Sequence, residues 1–195
     1  MKDSKLKVNC IDIELSIMFK FNYVHNLIVP NITTQSNLVS FETDMLILTK
    51  SGYATGFEIK TSLSDLKAEF NKPQHTKFNE TSYSGKPGFE RYYGKFKYFY
   101  FAVSEDLKEK ALELIPEFCG LYCVKKYEEG TSIRKNFYEV RQAKKLFDYQ
   151  WSIQERYEIA RLGTMRLYGL KFAIADSILQ ENFRRERENK EKIFF

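Results

Sequence analysis

The stretch FETDMLILTKSGYATGFEIK, Phe41 to Lys60, decides the fold: two apolar runs are joined by a short polar turn, with charged groups placed at even offsets. Period-two alternation puts Glu42, Asp44, Leu46 and Leu48 on one face of a strand and Met45, Ile47 and Thr49 on the other. In the second run Phe57 and Ile59 share a face, and Glu58 and Lys60 take the opposite one with Ala54 and Gly56. Lys50-Ser51-Gly52 between them suits a three-residue hairpin loop with glycine in the left-handed position. Pairing Thr49 with Tyr53 then sets Asp44 opposite Glu58 and Glu42 opposite Lys60, all on one side of the sheet.

Like charges directly across a ladder repel, so two facing carboxylates ask for a cation between them. A hard divalent ion takes oxygen ligands, keeps several waters and needs only one or two carboxylates from the protein. Asp44 and Glu58 meet that demand as metal ligands, with the backbone carbonyl of Ile59 as a third oxygen. Lys60, on the same face, is placed to orient or deprotonate a metal-activated water and to offset charge on a phosphate. Phosphodiester hydrolysis uses all of these parts. The competing reading is a solvated, alternating charged strand, but here the charges sit inside runs that are otherwise apolar, where unpaired carboxylates are costly.

Asp44 followed by Glu58-Ile59-Lys60 and Thr61-Ser62-Leu63-Ser64-Asp65-Leu66 resembles the PD-(D/E)XK nuclease superfamily, and within it the short bacterial and phage proteins related to the MmcB-type DNA-repair proteins. The likeness continues through FKYFYFAVSEDL (Phe96 to Leu107), Cys119-Gly120-Leu121 and ERYEIARLGTMRLYGLK (Glu155 to Lys171), covering most of Val8 to Lys171. It implies an α/β fold with a restriction-endonuclease-like core, a mixed sheet flanked by helices. It also implies Mg²⁺- or Mn²⁺-dependent cleavage of nucleic acid, most readily DNA. The superfamily's motif falls on Asp44 and Glu58 as metal ligands and Lys60 as the catalytic cation, with Glu14 matching a glutamate on the first helix that often contributes. The proline of the name is absent, Thr43 standing before Asp44. A nucleic-acid-binding or partner-binding protein on the same fold, without turnover, is the alternative.

A chain of 195 residues with 43% hydrophobic content supports one sizeable core. We expect a core over residues 1–150 and a helical extension over 151–195 packed on or beside it. No apolar run approaches a membrane span and no secretory leader is visible. Three cysteines, Cys10, Cys119 and Cys123, in apolar surroundings point to buried free thiols, and hence to a reducing cytoplasm, which the resemblance implies is that of a bacterium or phage-infected cell. With only His25 and His75 beside them, a structural zinc site is not expected.

The net charge is +5, and residues 60 to 97 hold eight Lys and Arg against four acids. A polyanion held by phosphate contacts wants that surplus, although an ordinary lysine-rich surface has it too. Ser62 and Ser64 at a helix start, with Lys67, Lys72, His75, Lys77, Lys86 and Arg91, are the candidate nucleic-acid contacts; Tyr83, Tyr92 and Tyr93 are candidate stacking rings. Two-sided cutting of a duplex would suit a homodimer.

Asn9 to Asn22 reads as a helix with Ile11, Glu14, Leu15 and Met18 on its inward stripe, making Glu14 a third metal-side carboxylate, a lysine partner or a stripe-edge residue reaching solvent. A short strand over Asn26 to Val29 should stop at Pro30. Ser62 heads a helix from Leu63 to about Asn71 with Leu66 and Phe70 inward, and Asn71 to Gly94 reads as a long mobile connection. Phe96 to Val103 is a central strand, Glu105 to Leu114 a helix, Gly120 to Lys125 and Asn136 to Arg141 later strands, and Ser152 onward helical with breaks at Gly163 and Gly169.

Overall fold

In the computed structural model the described residues are 6–34, 38–72, 88–129 and 132–193. His75, Lys77, Tyr83 and Lys86 lie outside them. The chain forms two compact units, Met1–Arg156 and Tyr157–Phe195.

The first unit is α/β. Its elements are α1 (Cys10–Lys20), β1 (Leu27–Ile32), β2 (Thr43–Leu48), β3 (Ala54–Lys60), α2 (Leu63–Glu69), α3 (Phe89–Tyr93), β4 (Tyr98–Ser104), α4 (Lys108–Leu114), β5 (Gly120–Glu129) and β6 (Ser132–Arg141), and α5 (Ile153–Ile193) runs on into the second unit. One six-stranded mixed sheet has the order β1-β2-β3-β4-β5-β6. The first three strands form an antiparallel meander. β4 and β5 then add parallel to β3, and β6 closes the sheet antiparallel. The hairpin folds as its sequence predicts, with Met45 facing Phe57 and Leu48 facing Ala54. The Thr49 N–H donates to the Tyr53 carbonyl (3.0 Å), and Gly52 takes φ +84° in the loop, a conformation glycine adopts without strain.

The two sheet faces carry separate cores. On one, Ile13 and Ile17 of α1 pack with Met45, Ile47, Phe57, Ile59, Tyr100 and Tyr122. The opposite parity brings Leu46, Gly56, Phe99, Phe101, Val103 and Cys123 toward α2, α3 and α4; the Phe70 ring stacks on Phe101 (5.7 Å) and Tyr93 meets Phe99 edge-on (5.3 Å). Gly56 is required there, since a Cβ would sit 2.6 Å from the Phe99 ring. Glu58 and Lys60 project from this second face, so the fold places them under α2 rather than under α1.

Several expectations are corrected. Pro30 lies inside β1, which continues to Ile32. As an edge strand, β1 has no ladder partner on one side to miss the absent N–H. The buried face of α1 is Asp12, Ile13, Ser16 and Ile17, while Ile11 and Leu15 are exposed. Asp12 can face inward because Lys135 (2.8 Å) and Lys126 (3.0 Å) pair with it and Asn9 caps the helix in a reciprocal box. Part of the expected mobile connection is the short helix α3, whose Phe89 and Tyr93 are buried. Tyr93 is thereby a core ring, not a base-stacking one. The helix α5 passes through Gly163 and Gly169 without a break. Of the three thiols, Cys119 and Cys123 are buried and free, but Cys10 is exposed. No helix among the described residues is long and apolar enough to cross a membrane.

Candidate functional site

The pairing of β2 with β3 stops at Met45 and Phe57. Beyond that pair the Asp44 side chain replaces the ladder: the Ile59 N–H donates to Asp44 Oδ2 at 2.7 Å. In a strand the N–H and C=O of one residue point to the same side, so the Ile59 carbonyl is directed toward the same gap. Asp44 therefore links the two strands at the carboxyl end of β3 and remains 36% exposed, whereas the Glu58 side chain beside it is 2% exposed.

Lys60 joins these two acids. Its ammonium lies 3.1 Å from Glu58 Oε2 and 3.8 Å from Asp44 Oδ2, and its side chain is 6% exposed. Its shortest ionic contact is with a residue the sequence reading did not select: Glu69 Oε2, at 2.9 Å, from the last turn of α2. The same Glu69 oxygen also accepts Lys72 at 2.6 Å, and the Glu69 side chain is 1% exposed. A signal for it was present, because Glu69 lies three residues after Leu66 and one before Phe70, on the stripe that faces the sheet. Ser62 starts α2 by accepting the Asp65 N–H (3.2 Å), which fixes the helix so that Glu69 comes down over β3.

Three carboxylates thus meet one buried ammonium, with the half-exposed Lys72 as second cation. Burial, with Asp44 beside it, holds the Glu58 carboxyl well above the usual carboxylate range, against the pull of Lys60. Burial by itself would lower Lys60, but Glu58, Asp44 and Glu69 outweigh it and keep the ammonium above its ordinary value. Glu58 Oε1 is buried without a hydrogen-bond partner among the described residues. A buried carboxylate oxygen that no protein donor satisfies, adjoining a second carboxylate, suits a cation; Asp44 and Glu58 with the Ile59 carbonyl are the oxygens that would hold one.

The remaining candidates separate. Glu14 accepts the Cys10 thiol (3.5 Å) at the start of α1 and makes no ion pair with Lys60 among the described residues, although Cys10 beside it feels the charges of Asp44 and Lys60. Partial desolvation first, then Glu14, pushes the thiol of the surface residue Cys10 up to about 11. Glu42 lies outside β2 and is exposed, so Lys60 pairs with Asp44, Glu58 and Glu69 rather than with Glu42. Ser62, Ser64, Lys67 and Lys72 are exposed on or beside α2, with the two serine hydroxyls 3.1 Å apart. Arg91, on α3, lines a separate cleft with Val39, Ser40 and Lys95.

No family model matches the chain, and no curated protein matches it. A solved structure that does match, described as SPO1766 protein of unknown function from Silicibacter pomeroyi, is 16% identical over 80% of this chain and 84% of its own, with a TM-score of 0.47. A likeness at that level carries no argument about activity.

Proposed function

We propose that the protein is a divalent-metal-dependent nuclease that hydrolyses phosphodiester bonds of nucleic acid, DNA in the first place, on a restriction-endonuclease-like core. The observation that carries this reading is the meeting of Asp44, Glu58 and Lys60 at the carboxyl end of β3, with Glu58 Oε1 buried and unpartnered. The element order adds support: a helix, a three-strand antiparallel meander, the helices α2 and α3, then a strand parallel to the third.

The chain's own groups divide the work. Asp44, the exposed acid of the pair, opens the site to solvent, and a phosphodiester would approach from its side. Glu58 lies deeper and holds its charge only with a cation at hand. Lys60 is surrounded by carboxylates and stays protonated, so its part is to orient the attacking water and offset charge growing on the phosphate, not to take the proton. Mg²⁺ or Mn²⁺, when bound, would supply Lewis-acid polarisation of the phosphate and a lower pKa for the attacking water. The exposed Lys67 and the Ser62 and Ser64 hydroxyls flank the site on α2, where strand phosphates would pass.

The test is incubation with single-stranded DNA, duplex DNA and RNA in Mg²⁺, Mn²⁺ or EDTA, beside Asp44→Ala and Lys60→Ala. Cleavage that needs the metal and is lost in both variants supports the proposal; cleavage persisting in both refutes it. A second reading, binding without turnover, is favoured by the fact that Lys60 already has three carboxylate partners. Retention of DNA with no cleavage under any metal would select it.

A further inference from the structure

Lys60 stands between two sets of acids. Asp44 and Glu58 are the oxygens assigned above to a cation, and Glu69 comes from another element and lies too deep to meet solvent. The ammonium is 2.9 Å from Glu69 and 3.8 Å from Asp44, so it leans away from the exposed acid and toward the buried one. Asp44 Oδ2 is engaged by the Ile59 N–H, and its other oxygen has no hydrogen bond among the described residues. Without Glu69, the anions left within reach of the ammonium among the described residues would be Glu58, whose Oε2 it already engages at 3.1 Å, and Asp44, onto which it would close. Lys72 bears on the same Glu69 oxygen from the surface, at 2.6 Å, which holds that carboxylate in place.

We infer that Glu69 is a positioning residue: it draws the Lys60 ammonium back from Asp44, leaving the outer Asp44 oxygen and Glu58 Oε1 to the metal while the ammonium stays on Glu58 Oε2, aimed at the reacting phosphate. The inference rests on the nuclease reading of the same site. Glu69 touches neither substrate nor metal in this scheme and acts through Lys60. Residues that orient a metal site's neighbours at one remove typically change affinity or rate about 10–100-fold when altered.

Glu69→Asp separates position from charge, because it keeps the carboxylate and withdraws it by one methylene; Glu69→Gln keeps the shape and removes the charge. The Mn²⁺ dissociation constant is measured by calorimetry on the full chain, kcat and KM on a DNA substrate, and the melting temperature as a control for folding. The expected result for Glu69→Asp is about 10-fold or more lost in kcat and weaker Mn²⁺ binding, with KM for DNA little changed, since Glu69 does not meet the strand. Glu69→Asp matching the native protein in both Mn²⁺ affinity and kcat would overturn the inference, because a carboxylate needed only for its charge tolerates that shift. Failure of the nuclease reading is distinguishable: a native protein that binds Mn²⁺, loses affinity in Glu69→Asp and yet cuts nothing would keep the positioning role and remove the hydrolysis. If Glu69→Asp does not fold, Glu69→Gln carries the test: unchanged Mn²⁺ affinity and kcat there also overturn it.

Discussion

Replacing Lys60 with methionine keeps the apolar stem of the side chain and deletes the ammonium that Asp44, Glu58 and Glu69 share. At an effective dielectric near 20, the contacts at 3.1 Å and 2.9 Å are each worth about 5–6 kcal/mol of Coulomb energy. Most of that repays desolvation, and losing one side of a buried pair costs about 3–5 kcal/mol because the partner's charge is stranded. Here the stranded groups are Glu58, which keeps no cation among the described residues, and Glu69, which keeps Lys72. We expect a loss of about 3–5 kcal/mol at pH 8, near 10 °C in melting temperature for a chain of this size. The loss carries a pH signature whose sign follows from Glu58. A carboxyl held above its ordinary 4.5 when folded binds a proton that the unfolded chain has released, so its cost is absent below about 4.5 and grows as pH rises toward the folded value. Removing Lys60 raises Glu58 further, so the deficit should be largest at pH 8 and shrink on approach to pH 5. Lys60 itself stays charged across that range in the native protein. The assay is urea unfolding at a series of pH values, followed by the single tryptophan, Trp151, which is 1% exposed and donates its indole N–H to the Lys95 carbonyl at 2.8 Å. A loss below about 1 kcal/mol, or one that does not change with pH, would refute the buried-cluster reasoning.

Asp44→Asn should keep the fold, since an amide oxygen can still accept the Ile59 N–H, while removing metal binding and cleavage; thermal melting and calorimetry with Mn²⁺ check both halves. Asp12→Asn should destabilise the protein at pH 7. Burial opposes the charge of Asp12, but Lys135, the Asn9 N–H and Lys126 outweigh it and bring its carboxyl down to about 2. A depressed carboxyl stabilises above its unfolded value and loses that contribution as pH falls through the folded one, so native and variant should converge by about pH 2 in acid unfolding curves. Gly56→Ala should cost about 1–3 kcal/mol in urea unfolding by forcing the Phe99 and Phe96 rings aside. If the exposed lysines beside the site hold phosphates, Lys67→Ala should weaken DNA binding uniformly across sequences and reduce its salt slope by about one counterion.

How much of this was legible in the chain depended on sequence distance. The hairpin was readable because a three-residue loop with glycine fixes register locally, and register fixes which acids face each other; Asp44 came beside Glu58 as the alternation required. The same period-two reasoning extended one step too far at Glu42, where β2 has already left β3. The face of α1 was misread because apolar residues occur on two of its sides, and the choice between them is made by Lys126 and Lys135, more than a hundred residues away on β5 and β6. Glu69 was passed over for a related reason. A glutamate on an inward stripe is ordinarily a cost, and only the position of Lys60 on the strand beneath makes it a partner. Pro30 and the two glycines of α5 read as stops in the sequence, but an edge strand has no second ladder to lose and a long helix can carry isolated glycines.

The central claim is that Asp44 and Glu58 jointly take a divalent cation while Lys60 is held back by Glu69. A crystal soaked in Mn²⁺, with data collected at the manganese edge, tests it most directly. The account predicts an anomalous peak within coordination distance of both the Asp44 and Glu58 carboxylates, with the Lys60 ammonium still on Glu69. No peak there at saturating Mn²⁺, or a peak elsewhere with Lys60 closed onto Asp44, would contradict it.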